Sequence, residues 1–439
     1  MVKLLGLDAS ERAPFFTMAL LFFADAIVEA SNEVIGTSGF ISHLGAPQIL
    51  WVWAADALVI LFTASAYALI VDRANRRRLA IALHLAFGTA YALIYLLFAA
   101  GGSDKVAYTA LMLINSQQNN ILVILTGALA SDLFSVSAAK RVFGLLGCAA
   151  ILGELSGNAL AVLLARWLGG QSAGLLLSNA IWLWASAAVL AVAVRRLPDT
   201  TRQARASASL LALLREGAVF MRKVTLFRYL SWSVLLLGVG WVALQYQFLV
   251  DLARAYPETG ELQFSYGIYK LAVPLLLLLV QTVGLRWLMK HWGFKSIFTL
   301  MPGVLFGGLL AMLLWPQLLS VVLACYLAQV VSQGIHTPSE SAFLGLVPDE
   351  LRGRIGAFLH GFLYQVGYLL GYGLVALIWW ATYRHWLTVE SGRWLYLTVA
   401  CAGCGLALAL ALRFRVEYDK SMLDWRWQRR RRQSAFEGI

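Results

Sequence analysis

Charge is what this sequence has least of. Only 13% of its 439 residues are Asp, Glu, Lys or Arg, about half the roughly 25% of a soluble domain, while 60% are hydrophobic. Such a composition cannot supply a polar surface all round, which excludes an ordinary water-soluble fold. Acid is scarcer than base, with 23 Asp and Glu against 35 Lys and Arg. Only four cysteines occur, Cys148, Cys325, Cys401 and Cys404. All fall in apolar stretches, where a thiol behaves as a small apolar group. Cys401 and Cys404 have C-x-x-C spacing, but no His or charge stands beside them, so a metal or redox role is not expected. Also missing are a G-x-x-x-x-G-K-[ST] phosphate loop, an H-E-x-x-H pair and a G-x-S-x-G elbow; GELSG at 153–157 has its Ser in the wrong place. Neither an enzyme nor a pump driven by its own ATP hydrolysis is expected, and no cofactor.

What the chain does have is apolar windows of about 20 residues, each able to cross a ~30 Å hydrocarbon core. We count twelve, at roughly 15–40, 49–71, 79–100, 108–131, 142–165, 175–195, 226–250, 266–288, 297–314, 318–344, 357–380 and 394–414. With both termini placed in the cytoplasm, basic residues gather on the cytoplasmic side apart from Lys105, Arg166, Arg254, Lys270, Arg384 and Arg393. The net charge of +12 is thus a topology signal and calls for no nucleic acid. The acidic, Pro-containing start without a small-residue cleavage site is not expected to be a cleaved signal peptide.

A polar stretch from Leu197 splits the spans six and six. The division expected is an N-terminal six-helix bundle at 1–196, a cytoplasmic linker with an amphipathic helix at 197–224, a C-terminal six-helix bundle at 225–415 and a basic cytoplasmic tail at 416–439. A shift of about 214 residues lays Gly153 on Gly367, Gly157 on Gly371, and Asn32 and Glu33 on Tyr246 and Gln247. Parallel repeats of this kind build two-bundle transporters with a midplane site. The tail WRWQRRRRQ suits anionic lipid headgroups, each charge near the surface contributing about 1 kcal/mol.

After the second span, ALIVDRANRRR sets Asp72 and Arg73 before Arg76 and Arg77. It resembles the major facilitator loop signature, in which an acid and basic residues hold two helices together in one state and release them in another; Asn75 stands where that pattern has Gly. SDLFSVSAAKRVFGLLGCAAILGELSG (131–157) and PSESAFLGLVPDELRGRIGAFLHGFLYQVG (338–367) look like the branch of the superfamily related to bacterial and plastid ATP/ADP translocases. That resemblance implies an all-α membrane protein of twelve transmembrane helices in two six-helix bundles, and it implies nucleotide exchange. A polyphosphate site needs several cations, and within the spans Lys270 is the one clear deep cation.

Buried acids and amides are costly in hydrocarbon and mark a pathway. Asp25, Glu29, Asn32 and Glu33 fall at i, i+4, i+7 and i+8, on one helix face. Asn115, Gln118 and Asn119 form a second stripe. Gln329, Gln333, His336 and Glu340 form a third. With Tyr246 and Lys270 these are the candidate substrate and proton ligands; no metal is expected, and Asp72, Arg73, Arg76 and Arg77 are the candidate gating loop. Glu154, between Gly153 and Gly157, reads as part of a small-residue helix contact.

The expected protein is therefore a monomeric secondary carrier in a bacterial inner (plasma) membrane, working by alternating access. Its substrate would be a polar organic solute, neutral, zwitterionic or cationic, with Glu29 or Glu33 carrying a coupling proton. Two alternatives stay open at this point: nucleotide or other organic-anion exchange, and an amphiphile translocase or a non-transporting scaffold.

Overall fold

A computed structural model describes residues 9–71, 75–134, 136–168, 173–194, 215, 218–219, 221–222, 224–344 and 355–436. Twelve long helices carry nearly all of them, and no strand occurs among the described residues. In chain order these are α1 (Ala9–Leu44), α2 (Ile49–Val71), α3 (Arg76–Ala99), α4 (Asp104–Leu133), α5 (Val136–Leu168) and α6 (Gly174–Val194). They continue with α7 (Thr225–Ala255), α8 (Thr259–Leu279), α9 (Phe294–Leu314), α10 (Leu318–Leu344), α11 (Tyr364–Tyr383) and α12 (Val389–Phe436). Helices are forced by the solvent, since in hydrocarbon each N–H and C=O must find its partner within the segment.

Eleven helical segments are long and apolar enough to cross a membrane. The helix outside that set is α4. Its 30 residues reach about 45 Å at ~1.5 Å per residue, but the run NSQQNN at 115–120 dilutes its hydropathy. Neighbouring helices absorb that polarity. Ser116 and Gln117 hydrogen-bond Asp56 of α2 at 2.6 and 3.0 Å, while Asn115 and Gln118 are buried. Outward faces carry Trp51, Phe62, Leu93, Leu96 and Ile181, the apolar surface lipid requires.

Local chemistry sets the helix ends. Asn75 caps α3, its side chain accepting from the backbone N–H of Arg77 and Arg78 at 3.1 and 3.3 Å, two of the donors that a helix start leaves unpaired. Gly45, at φ 87°, makes the turn from α1 toward α2 that a side chain would resist. The tail expected at 416–439 extends α12 as helix to Phe436, well past the expected span end at 414; its side chains beyond Tyr418, with the tail's Arg run, lie outside the described residues. So do most of the linker's amphipathic stretch, Asp72 and Arg73.

The chain divides into two compact units: Met1–Ser207 with Leu252–Leu275, and Ala208–Asp251 with Leu276–Ile439. The first unit thus takes the end of α7 and most of α8. Within it, α1 and α5 cross at close range, since a Cβ on Gly153 would strike the carbonyl of Phe23 and one on Gly157 that of Ile27. The second unit repeats the device between α7 and α11. There a Cβ on Gly367 would stand 3.0 Å from the Leu235 carbonyl oxygen, and one on Gly371 2.8 Å from Val242 Cβ. These are the glycines that the 214-residue shift superimposes. Small residues are what let membrane helices approach this closely.

Candidate functional site

The acidic stripe of α1 is the spine of the first unit's polar interior. Glu33 Oε1 lies 2.5 Å from Lys270 Nζ on α8 and accepts from the Tyr266 hydroxyl at 3.3 Å. The ammonium also sits 5.9 Å from the centre of the Tyr266 ring. Asn158 of α5 holds α8 in place by donating to the Lys270 carbonyl at 3.2 Å, and Gln263 donates to the Ala161 carbonyl at 3.0 Å. Gly267 makes room, since a Cβ there would stand 2.6 Å from Val162 Cγ2.

The pair is partly exposed, with 33% of the Glu33 side chain and 15% of the Lys270 side chain accessible. Glu29, one turn before Glu33, accepts from Asn119 Nδ2 at 3.4 Å and is half-buried. Glu29, Glu33 and Glu154 of α5 lie within electrostatic range of Lys270 and of one another. Three carboxylates thus share one ammonium. Single charges inside a membrane span are costly and tend to be paired, and here the acids outnumber the ammonium three to one.

Deeper in the same unit the stripe is dry. Asp25 Oδ1 stands 3.0 Å from His84 Nε2 of α3, with 8% and 1% of the two side chains exposed. Thr126 of α4 lies 3.2 Å from Asp25 Oδ2. Gln118 donates to the Asp25 carbonyl at 3.2 Å and accepts from Tyr91 at 2.5 Å, and Asn115 donates to the Glu29 carbonyl at 3.3 Å. Asn32, fully buried, turns away toward α6, where Asn179 Nδ2 donates to it at 2.7 Å and to Ser31 at 2.9 Å. Eight of the expected ligands (Asp25, Glu29, Asn32, Glu33, Asn115, Gln118, Asn119 and Lys270) therefore belong to one network in one unit.

The second unit holds the other four, and it does not gather them. Glu340 and His336 are buried around Tyr364, whose hydroxyl donates to Glu340 Oε2 at 2.8 Å and lies 3.1 Å from His336 Nε2. Tyr246 packs edge-on against Tyr396 at 5.8 Å. Gln333 is exposed. A π turn at Ser332–His336 inserts extra backbone into α10 and rotates its stripe, as π bulges often do near functional sites. Two further π turns occur in this unit, at Val280–Gly284 and Ala357–Leu363. Of the gating-loop candidates, Arg76 pairs with Asp132 of α4 at 2.9 Å and Arg77 is buried.

Reading the spans for acids and amides passed over His84, Tyr91, Thr126, Asn179 and Asp132. His84 was findable, being the sole ionisable side chain between Arg78 and the end of α3 apart from the tyrosines.

An acid-rich, partly exposed cluster with a lysine is thus carried on membrane-length helices. Residues 15–372 match the Major Facilitator Superfamily, and the chain belongs to it. No curated protein matches the sequence. Among solved structures, a POT family transporter in complex with 5-aminolevulinic acid superimposes with a TM-score of 0.66 at 14% identity, over 90% of this chain and 96% of that one. The nucleoside transporter NupG gives 0.60 at 15% identity, over 92% and 98%. A bacterial homologue of the iron transporter ferroportin, in an inward-facing state, gives 0.62 at 16%, over 93% and 100%. At these identities the likeness is one of fold.

Proposed function

We propose that the chain is a secondary carrier working by alternating access, coupled to protons, and that its substrate is a small zwitterionic organic solute held at the Glu33–Lys270 pair. The observation behind this is the 2.5 Å pair with Glu29 and Glu154 in range. A substrate carboxylate can replace Glu33 on Lys270, and the substrate's ammonium can then take the released Glu33 together with Glu29. The exchange brings in one charge of each sign and leaves the net charge of the site unchanged, which matters because a desolvated lone charge costs several kcal/mol. A proton on Glu29 or Glu33 competes with the ammonium for the same oxygens, and that competition is the coupling.

The 5-aminolevulinic acid bound by the POT relative is a solute of this class. Nucleotide exchange, which the junction motifs had implied, is not supported. Lys270 is already paired. Arg166, exposed near the end of α5, faces the Phe264 ring at 6.0 Å. The Arg141 side chain lies outside the described residues.

The test is uptake into proteoliposomes under an imposed pH gradient, after a thermal-shift screen of zwitterions, cations and nucleotides to choose the solute, because a ligand of the folded state stabilises it. Glu29→Gln and Glu33→Gln are each compared with wild type. Unchanged gradient-driven uptake in both variants sinks the coupling mechanism, and stabilisation by nucleotides alone sinks the substrate class.

A further inference from the structure

We propose that Asp25 and His84 form a proton-binding site of the transport cycle, separate from the partly exposed Glu33–Lys270 pair; this rests on reading the chain as a proton-coupled carrier. His84 Nδ1 lies 2.7 Å from the Ala80 carbonyl oxygen, which only accepts, so Nδ1 carries its hydrogen. The other ring nitrogen, Nε2, faces Asp25 Oδ1 at 3.0 Å. With Nδ1 protonated, a neutral ring presents a bare lone pair at Nε2, and an ionised carboxylate presents another. The contact is attractive only with one more proton between them, whether it sits on nitrogen or on oxygen.

That proton decides the charge of a sealed site. With it the pair is neutral; without it a carboxylate and a lone pair face each other between α1 and α3, with 8% and 1% of the side chains exposed. Loading therefore ties α1 to α3, and release loosens them. Thr126 suits both states. Its hydroxyl, which also reaches the Leu122 carbonyl, lies 3.2 Å from Asp25 Oδ2 and can donate to a carboxylate or accept from an acid.

The second unit's pair shows that such a contact does not always demand an extra proton. Tyr364 gives its hydrogen to Glu340, so its oxygen can accept from the Nε2–H of a neutral His336.

The ionisable groups on the surrounding helices leave a route outward. Glu29 follows Asp25 by one turn on the same face of α1 and is partly accessible. Tyr91 lies two turns beyond His84 on α3. Arg77, two turns before His84, and the Arg76–Asp132 pair stand toward the other end of α3, and Glu154 of α5 is in range of Glu29. Glu29, one turn from Asp25 and partly accessible, is thus the carboxylate that would pass a proton between water and the sealed pair.

The experiment uses the full chain, with 15N-histidine and 13C-aspartate labels, in lipid nanodiscs at pH 7. His84 is assigned through His84→Gln. If that variant fails to fold, Thr126→Val, which removes the hydroxyl beside Asp25 and keeps the shape, perturbs the same signals. The expected wild-type spectrum shows a protonated Nδ1, and either a protonated Nε2 or a protonated Asp25. A bare Nε2 beside an ionised Asp25 overturns the proposal without any variant.

A second arm measures 5-aminolevulinate in proteoliposomes, as the ratio of pH-gradient-driven uptake to counterflow. Asp25→Asn should lower that ratio by about tenfold, within the usual range of coupling factors, and Asp25→Glu should restore it. Equal loss of both fluxes in Asp25→Asn, with the ratio kept, makes the pair a structural link and overturns the proposal. If wild type carries no 5-aminolevulinate, the zwitterion chosen by the thermal-shift screen replaces it in this arm, and the spectra decide the proton site independently.

Discussion

Lys270 Nζ reaches Glu33 Oε1 at 2.5 Å across 237 residues of sequence, joining α8 to α1 inside the first unit. Each side chain is the other's main electrostatic partner in a setting where a lone charge is costly. Removing one partner of a fully buried pair costs about 3–5 kcal/mol. With a third of Glu33 in solvent, Lys270→Ala and Glu33→Gln should each lower stability by about 1–2 kcal/mol. The double variant Glu33→Gln with Lys270→Gln should lose less than the sum. All three should abolish uptake, whereas nearly additive stability losses in thermal unfolding would show that the pair is not coupled.

The glycine crossings give a packing test that needs no substrate. Gly153→Leu or Gly157→Leu drives a side chain into the α1 carbonyls of Phe23 and Ile27, and overpacking of this kind costs about 1–3 kcal/mol or more. Gly371→Leu should behave alike against Val242. Gly144→Ala, with nothing within 4 Å of the added methyl, is the control and should unfold at or slightly above the wild-type temperature, since alanine favours a helix interior over glycine.

Tyr364 satisfies two partners with one hydroxyl. Tyr364→Phe leaves Glu340 Oε2 and His336 Nε2 without it, and a buried polar group deprived of its partner costs about 1–3 kcal/mol. Thermal unfolding of the variant should show that loss. No loss would mean that water replaces the hydroxyl.

Arg76 and Asp132 meet through two contacts, at 2.9 and 3.1 Å. Arg76→Asp and Asp132→Arg, each setting like charges face to face at a largely buried pair, should each destabilise by about 2–4 kcal/mol, and the charge-swapped double variant should recover most of it. A double-mutant cycle in thermal unfolding reads the coupling directly; a coupling near zero would leave Arg76 as a topology charge alone.

Thiol reactivity should follow burial. Cys148 is exposed, and Cys325, Cys401 and Cys404 are buried, with Cys404 packed so close to Gly240 that a methyl there would strike its sulfur. A fluorogenic maleimide on the folded protein should label one thiol, and heating should release three more in one cooperative step. Early labelling of Cys404 would contradict the α7–α12 packing.

The spans and the acidic face of α1 were legible because both obey local rules. Backbone in hydrocarbon must be helical over about 20 residues, and a period of 3.6 places Asp25, Glu29 and Glu33 on one side. On α10 Gln333 is exposed while His336 and Glu340 are buried, because a π turn breaks the 3.6 period between Ser332 and His336. Asn32 shares the period of its neighbours, yet it turns to Asn179, and a side chain at the edge of a face is claimed by whichever helix packs there. His84 carries no pattern of its own, being one polar residue on an apolar helix.

Composition and periodicity alone determined that this chain crosses a membrane about a dozen times, where it repeats itself and which helix bears the acids, since each follows from the solvent and from neighbours within two turns. Partnership was decided only by tertiary structure: Lys270 with Glu33, His84 with Asp25, Tyr364 with Glu340. The reason is that a charge or lone pair inside a membrane takes its meaning from the atom opposite, and packing alone brings that atom within 3 Å.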